Sequence, residues 1–220
     1  MSTLWLLRHA RPLIPTGVCY GRLDVAADAA LSAQAAKNFS ARAHPLPASA
    51  VLRHSPLQRC EQLQRSLSAS APDFASTCAD AGLQEMDFGT WEGQPWEQIP
   101  RAEIDAWAAD LAHYAPGGGE SLVAMLQRVK RSLQHSWKHD SQHGARDVVW
   151  VTHAGVIRCV QWLLQRGDAL PASAEWNLPA PGFGQWLALP WQGVENWLPS
   201  NTHPTTLTVP GTLPPADFQP

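Results

Sequence analysis

Two arginines and two histidines stand where short apolar runs of this chain end. Arg8-His9 closes the run 3–7, His153 follows the run 147–152, and Arg59 falls in the first turn of a helix expected to open at Ser55-Pro56. In open α/β sheets, ligands collect at the carboxyl ends of the strands. Helix N-termini at that edge add unpaired N–H groups and positive potential. Arg is a planar donor matched to phosphate oxygens. Two Arg and two His converging at such an edge would hold a doubly charged phosphoryl group. Any one of them alone is more often structural, so the joint pattern carries the reading.

Other chemistries are excluded by inspection. The chain has no G-x-x-x-x-G-K and no G-x-G-x-x-G phosphate cradle, and no G-x-S-x-G nucleophile elbow. No Cys is followed six residues later by Arg, and no Asp-x-Asp occurs, which disfavours cysteine-phosphatase and aspartyl-phosphate routes. His135, His139 and His143 share a helical spacing, but Lys138, Asp140, Ser141 and Gln142 around them read as a solvated helix end rather than a metal site. No cofactor and no metal are expected.

The elements that must position these residues follow from periodicity. Strands are expected at 3–7, 50–54 and 147–152, with a fourth at 185–189; continuous apolar runs of this length suit strands covered on both faces. Helices are expected from Leu31 to Ala43 opening at Ser32, from Ser55, over 120–138, and over 156–166. Ser55, Pro56 and Gln58 form a capping-box pattern, so Ser55 reads first as a helix N-cap. Leu122, Leu126, Val129, Leu133 and Trp137 mark one apolar helix face. The alternation implies an α/β fold: a doubly wound, mostly parallel sheet with helices on both faces. Residues 1–198 read as one domain, 86–119 as a small helical lid carrying Trp91, Trp96 and Trp107, and 199–220 as an extended Pro/Thr-rich tail.

Composition agrees with a packed domain. The chain has 220 residues, 45% of them hydrophobic, and a formal charge of -3. A general nucleic-acid binder normally shows a basic excess, so none is expected as a partner. No segment reaches the roughly 18 apolar residues of a membrane span, and no membrane partner is expected. Cys19, Cys60, Cys78 and Cys159 form no C-x-x-C pair and read as reduced thiols in a cytoplasmic protein. A homodimer is left open.

At this point a resemblance enters. Leu7-Arg8-His9-Ala10 resembles the Arg-His-Gly signature of the histidine phosphatase superfamily, phosphoglycerate-mutase-like branch 1. Ser55 to Cys60 is similar to its Ser-x-Leu-x-Arg-Ala helix start, and Leu83 to Gly93 to its Leu-x-Glu-x-x-Phe-Gly-x-Trp-Glu-Gly block. Pro116 to Ser121 resembles its Pro-Gly-Gly-Glu-Ser turn, and Val151 to Arg158 its second His motif. Cys19 to Asp24 looks most like the alpha-ribazole phosphatase group. Ala10 and Ala154 replace the family glycines beside both histidines, and Arg11 stands where relatives often carry an acid.

The resemblance implies a metal-independent phosphomonoesterase acting on a small phosphorylated substrate. His9 would be the nucleophile and form a phosphohistidine. Arg8, Arg59 and His153 would hold the phosphoryl oxygens, His153 as the imidazolium that a dianion favours. Glu85 would be the general acid and then the base, which requires a site dry enough to hold its proton; Asp87 and Glu92 are its nearby rivals. Ser55 would lie near the phosphate, and Arg11, Tyr20 and Arg22 would line the entrance. Arg158 reads equally as a structural ion-pair residue. A phosphoglycerate-mutase-type phosphotransferase is disfavoured, because 93–120 carries no basic side chain beyond Arg101 and His113. A phosphohistidine protein phosphatase and an inactive phospho-ligand-binding module are the further alternatives.

Overall fold

A computed structural model describes residues 3–42, 46, 49–70, 74–141 and 147–190. The elements are β1 (Thr3–Arg8), α1 (Ala29–Arg42), β2 (Val51–His54), α2 (Gln58–Ser70), β3 (Ser76–Ala79), α3 (Arg101–Ala109), α4 (Leu122–Ser136), β4 (Asp147–Thr152), α5 (Ala154–Arg166) and β5 (Trp186–Pro190). They build one five-stranded sheet in the order β3-β2-β4-β1-β5. The strands are parallel except β5, which runs antiparallel to β1 at the edge.

Why β4 reads as an unbroken apolar run is visible in its packing. Val148 and Trp150 point into a core with α4 and α5, through Met125, Val129, Val156 and Val160. Val149 and Val151 point the other way, against Phe39 of α1 and Leu63 and Leu67 of α2. Both faces of the central strand are buried, so both alternating sets must be apolar. The doubly wound α/β arrangement is therefore present. β1 lies beside β4 with Arg8 opposite Thr152, which brings the residues following both strands, His9 and His153, to one edge.

Several boundaries differ from the sequence reading. α1 is capped by Asp28, whose carboxylate accepts the Leu31 N–H at 2.9 Å, and not by Ser32. α2 begins at Gln58, whose N–H is taken by the Asp24 carboxylate at 2.7 Å, while the Ser55 hydroxyl accepts the Leu57 N–H at 3.3 Å in the turn just ahead of the helix. β3 was not expected: its residues are mostly exposed and carry no apolar alternation. α4, expected over 120–138, spans Leu122–Ser136 behind an N-cap at Ser121, whose hydroxyl accepts the Ala124 N–H, and closes into a π-turn at Trp137–Ser141. The His143 side of the histidine series and the tail 199–220 lie outside the described residues. Among the described residues no group of His, Cys, Asp and Glu could hold a metal ion. No described helix is long and apolar enough to cross a membrane.

The segment 86–119 forms three short 3-10 turns and α3 around a third core of Cys19, Trp91 and Ile99. Trp96 stacks on Trp107 with an interplanar angle of 7°, and Trp91 donates its indole N–H to Glu103 at 2.7 Å. These tryptophans pack on one another, so packing is the role the structure gives them. Gly89 and Gly117, at φ +54° and +60°, interleave so tightly that a Cβ on Gly89 would stand 2.2 Å from the Gly117 oxygen. Only glycine satisfies both the positive φ and the approach.

Candidate active site

His9 leaves the end of β1 with its N–H on the Thr152 carbonyl, 3.0 Å away. Its ring is 2% exposed and lies 5.1 Å, centroid to centroid, from the ring of His153. Nδ1 sits 2.7 Å from the carbonyl of Ala10. That contact requires the proton on Nδ1, which leaves the Nε2 lone pair to act as a nucleophile. Burial, followed by the Arg59 charge, holds the His9 imidazole well below its ordinary value, with the Ala10 carbonyl opposing them. The ring is neutral.

His153, fully buried, is held from three sides. Arg59 donates Nε–H to its Nδ1 at 3.2 Å, so Nε2 carries the proton and donates it to the Ser55 hydroxyl at 2.9 Å. Cys60 Sγ lies 3.5 Å from the same Nε2; burial pushes the Cys60 thiol up to about 12, so it remains an inert thiol. Burial, then Arg59 and His9, also holds His153 well below the ordinary histidine range. This arrangement favours the neutral ring, whereas the imidazolium is the state expected when a dianion is held beside it.

Arg59 is 0% exposed although it is charged, and its donors explain the burial. Besides His153 it reaches the carbonyl of Leu23 at 2.8 Å through Nη1 and that of Gly21 through Nη2. Its Cζ lies 5.6 Å from the Tyr20 ring centroid. Arg8 donates to the Pro181 carbonyl at 3.0 Å, and the Phe183 ring covers it with 4.0 Å from Cζ to centroid. Arg8, His9, Ser55, Arg59, His153 and Tyr20 are thus brought together.

Glu85 reaches the same edge. Its carboxylate accepts the N–H of Met86 at 3.2 Å and of Gly155, in the first turn of α5, at 3.0 Å. A Cβ on Gly155 would lie 2.2 Å from Glu85 Oε1, so glycine at that place makes room for the carboxylate. Asp87 accepts the Gly89 N–H at 2.8 Å and faces Arg22 at 3.4 Å. Glu92 accepts four backbone N–H groups, from Gly21, Arg22, Leu23 and Phe88, at 2.8–3.0 Å. Both rivals of Glu85 are committed to holding backbone.

The Arg22 side chain is exposed and reaches the Asp87 carboxylate at 3.4 Å. The Arg11 side chain is exposed and makes no hydrogen bond or ion pair with the described residues. Arg158 donates to the Leu178 carbonyl at 2.9 Å and feels the Glu85 charge. Two contributors were missed by sequence reasoning. Arg128 of α4 grips the carbonyls of Gly82, Gln84 and Glu85 at 2.7–3.1 Å and pairs with Glu120 at 2.7 Å, thereby fixing the backbone that carries Glu85. Its signal was a polar residue beside an apolar helix face. Phe183 lies beyond all five motifs and gave no signal. A groove of about 580 Å³ lined by Arg53, Asp80, Arg128 and His135 lies apart from His9.

The sequence profile of the histidine phosphatase superfamily (branch 1) matches residues 4–181. Mycobacterial glucosyl-3-phosphoglycerate phosphatase is 25% identical, with a TM-score of 0.71 over 89% of this chain and 94% of that one. Its complex with VO3 gives a TM-score of 0.70 at 25% identity, over 86% and 90% of the two chains. A candidate alpha-ribazole-5'-P phosphatase from Escherichia coli K-12 is 26% identical, with a TM-score of 0.68 over 85% and 89%. No curated protein matches.

Proposed function

The chain belongs to the histidine phosphatase superfamily (branch 1) and is a phosphatase of a small phosphorylated substrate; we propose that it works through a phosphohistidine on His9. The observation that carries this reading is the Nδ1 contact of His9 with the Ala10 carbonyl, which frees Nε2 beside His153, Arg8 and Arg59. Nε2 attacks phosphorus in line, the N–P bond forms, and the bond to the leaving oxygen breaks as Glu85 protonates that oxygen. Water then attacks phosphorus, gives its proton back to Glu85, and the N–P bond breaks. The arginines stabilise charge on the equatorial oxygens. No cofactor enters these steps.

For the substrate we favour alpha-ribazole phosphate, supported by the Cys19 to Asp24 segment and by the similarity to the E. coli protein. The mutase alternative is disfavoured by the disposition of the only basic side chains in 93–120: Arg101 is exposed and paired with Asp105 at 2.8 Å, and His113 with Asp110 at 3.0 Å. Acid-labile, base-stable labelling of the wild type by a radiolabelled phosphate ester, absent in His9→Ala of unchanged circular dichroism, tests the intermediate. Labelling that persists in His9→Ala refutes it. A panel of phosphorylated metabolites assayed without added metal ranks the substrates.

A further inference from the structure

Phe183 stands in the turn 181–185, which is fastened by backbone to the end of β1. The Gly184 N–H reaches the carbonyls of Arg8 and His9 at 3.2 and 3.1 Å, and the Arg8 N–H reaches Gln185 at 3.0 Å. Gly184 adopts φ +69°, and a Cβ there would lie 2.8 Å from that of Ala35, so the turn is pressed against α1. The Phe183 ring is thereby set in the corner between the Arg8 guanidinium, at 4.0 Å, and the His9 imidazole, at 5.5 Å and 44°. The same turn supplies the Pro181 carbonyl that accepts from Arg8 Nη1.

We infer that Phe183 is a positioning residue for Arg8, holding the guanidinium plane in its phosphoryl-binding orientation, an inference that rests on the phosphatase reading above. The geometry explains how. Guanidinium N–H groups lie in the plane of the group, whereas an aromatic ring covers its face. Stacking therefore fixes the plane and strips water from one face without consuming in-plane donors. A long, flexible Arg side chain otherwise surrenders rotamer entropy each time it grips an anion; the ring removes much of that freedom before substrate arrives. The attraction comes from the ring quadrupole, so an aliphatic side chain of similar bulk would fill the corner without holding the plane.

The test uses the full chain with Phe183→Leu and Phe183→Tyr, assayed on p-nitrophenyl phosphate and on an alkyl phosphate, with inorganic phosphate as inhibitor. From the usual strength of a cation–π contact, Phe183→Leu is expected to lose about 3- to 30-fold in kcat/KM on both esters. Inhibition by inorganic phosphate weakens by a similar factor, because the defect is in the phosphoryl grip and not at the leaving group. Phe183→Tyr restores the wild-type values. In an Arg8→Ala background, Phe183→Leu causes no further loss. Rates are normalised to burst amplitude, so a partly unfolded variant does not mimic the effect. Unchanged constants in Phe183→Leu, a loss on one ester only, failure of Tyr to rescue, or full additivity with Arg8→Ala each overturns the inference. A wild-type protein with no burst and no turnover overturns the phosphatase reading instead.

Discussion

Gly155→Ala is a small change with a large and selective expected effect. The added methyl would start 2.2 Å from Glu85 Oε1, against about 3.4 Å for ordinary contact, so the carboxylate must retreat by roughly 1.2 Å. That displacement also breaks the 3.0 Å hydrogen bond from the Gly155 N–H. A misplacement of about 1 Å at a reacting group costs on the order of 100-fold in rate. Stability runs the other way: Gly155 is a helical residue of α5, and Ala is favoured over Gly in helices by about 1 kcal/mol. The methyl meets the mobile end of a side chain rather than backbone, so the fold accommodates it. The variant should melt at or above the wild-type temperature while its phosphorylation step on an alkyl phosphate falls about 100-fold. On p-nitrophenyl phosphate, whose leaving group needs no proton, the burst phase should fall far less. Stopped-flow burst kinetics on the two esters, with thermal melts in parallel, give the comparison. Equal losses on both esters, or an alkyl rate within about threefold of wild type, would remove Glu85 from the role of acid.

Further outcomes follow from other contacts. Arg59→Ala should lower kcat/KM by a few orders of magnitude, since one transition-state donor is worth roughly 3–4 kcal/mol; a fall of less than about fivefold would place Arg59 outside the reaction. Asp140→Asn breaks the buried Arg53–Asp140 pair, whose side chains are 9% and 8% exposed. Loss of one partner of such a pair costs about 3–5 kcal/mol, so denaturant melts should show the loss while kcat per folded molecule stays constant. His9 and His153 are both held below their ordinary value of 6.5, mainly by burial. Above pH 6.5 neither state of the chain protonates them; below it the unfolded chain binds protons that the native chain does not. Their contribution is thus complete above pH 6.5 and lost as pH falls toward the depressed native values. Melting temperatures measured from pH 8 to 5 should drop below 6.5, and His153→Gln should flatten that drop.

The chemistry was legible in sequence where it is encoded locally. Arg8-His9 and His153 follow strands whose apolar runs identify themselves, and parallel pairing of β1 with β4 then joins them. What sequence could not show depends on distant neighbours. Ser55 resembles a helix cap and its hydroxyl does accept the Leu57 N–H, yet Asp24 from another loop takes the Gln58 N–H and the same Ser55 hydroxyl also meets His153. The tautomer of His153 depends on Arg59 aiming Nε at Nδ1, which no spacing reveals. No residue of β3 or α3 is fully buried, and α3 packs only through Ile104 and Trp107, too few to leave a periodic apolar trace. Phe183 and Arg128 act through contacts spanning wide sequence separations.

The four-pronged grip of Glu92 fixes Gly21, Arg22 and Leu23 by their amides, and Arg59 holds Gly21 and Leu23 by their carbonyls. Residues 21–23 are consequently a rigid frame whose main chain cannot be reshaped without disturbing the buried Arg59. Exchanging a side chain on that frame, the exposed Arg22 above all, would leave its amide and carbonyl contacts in place.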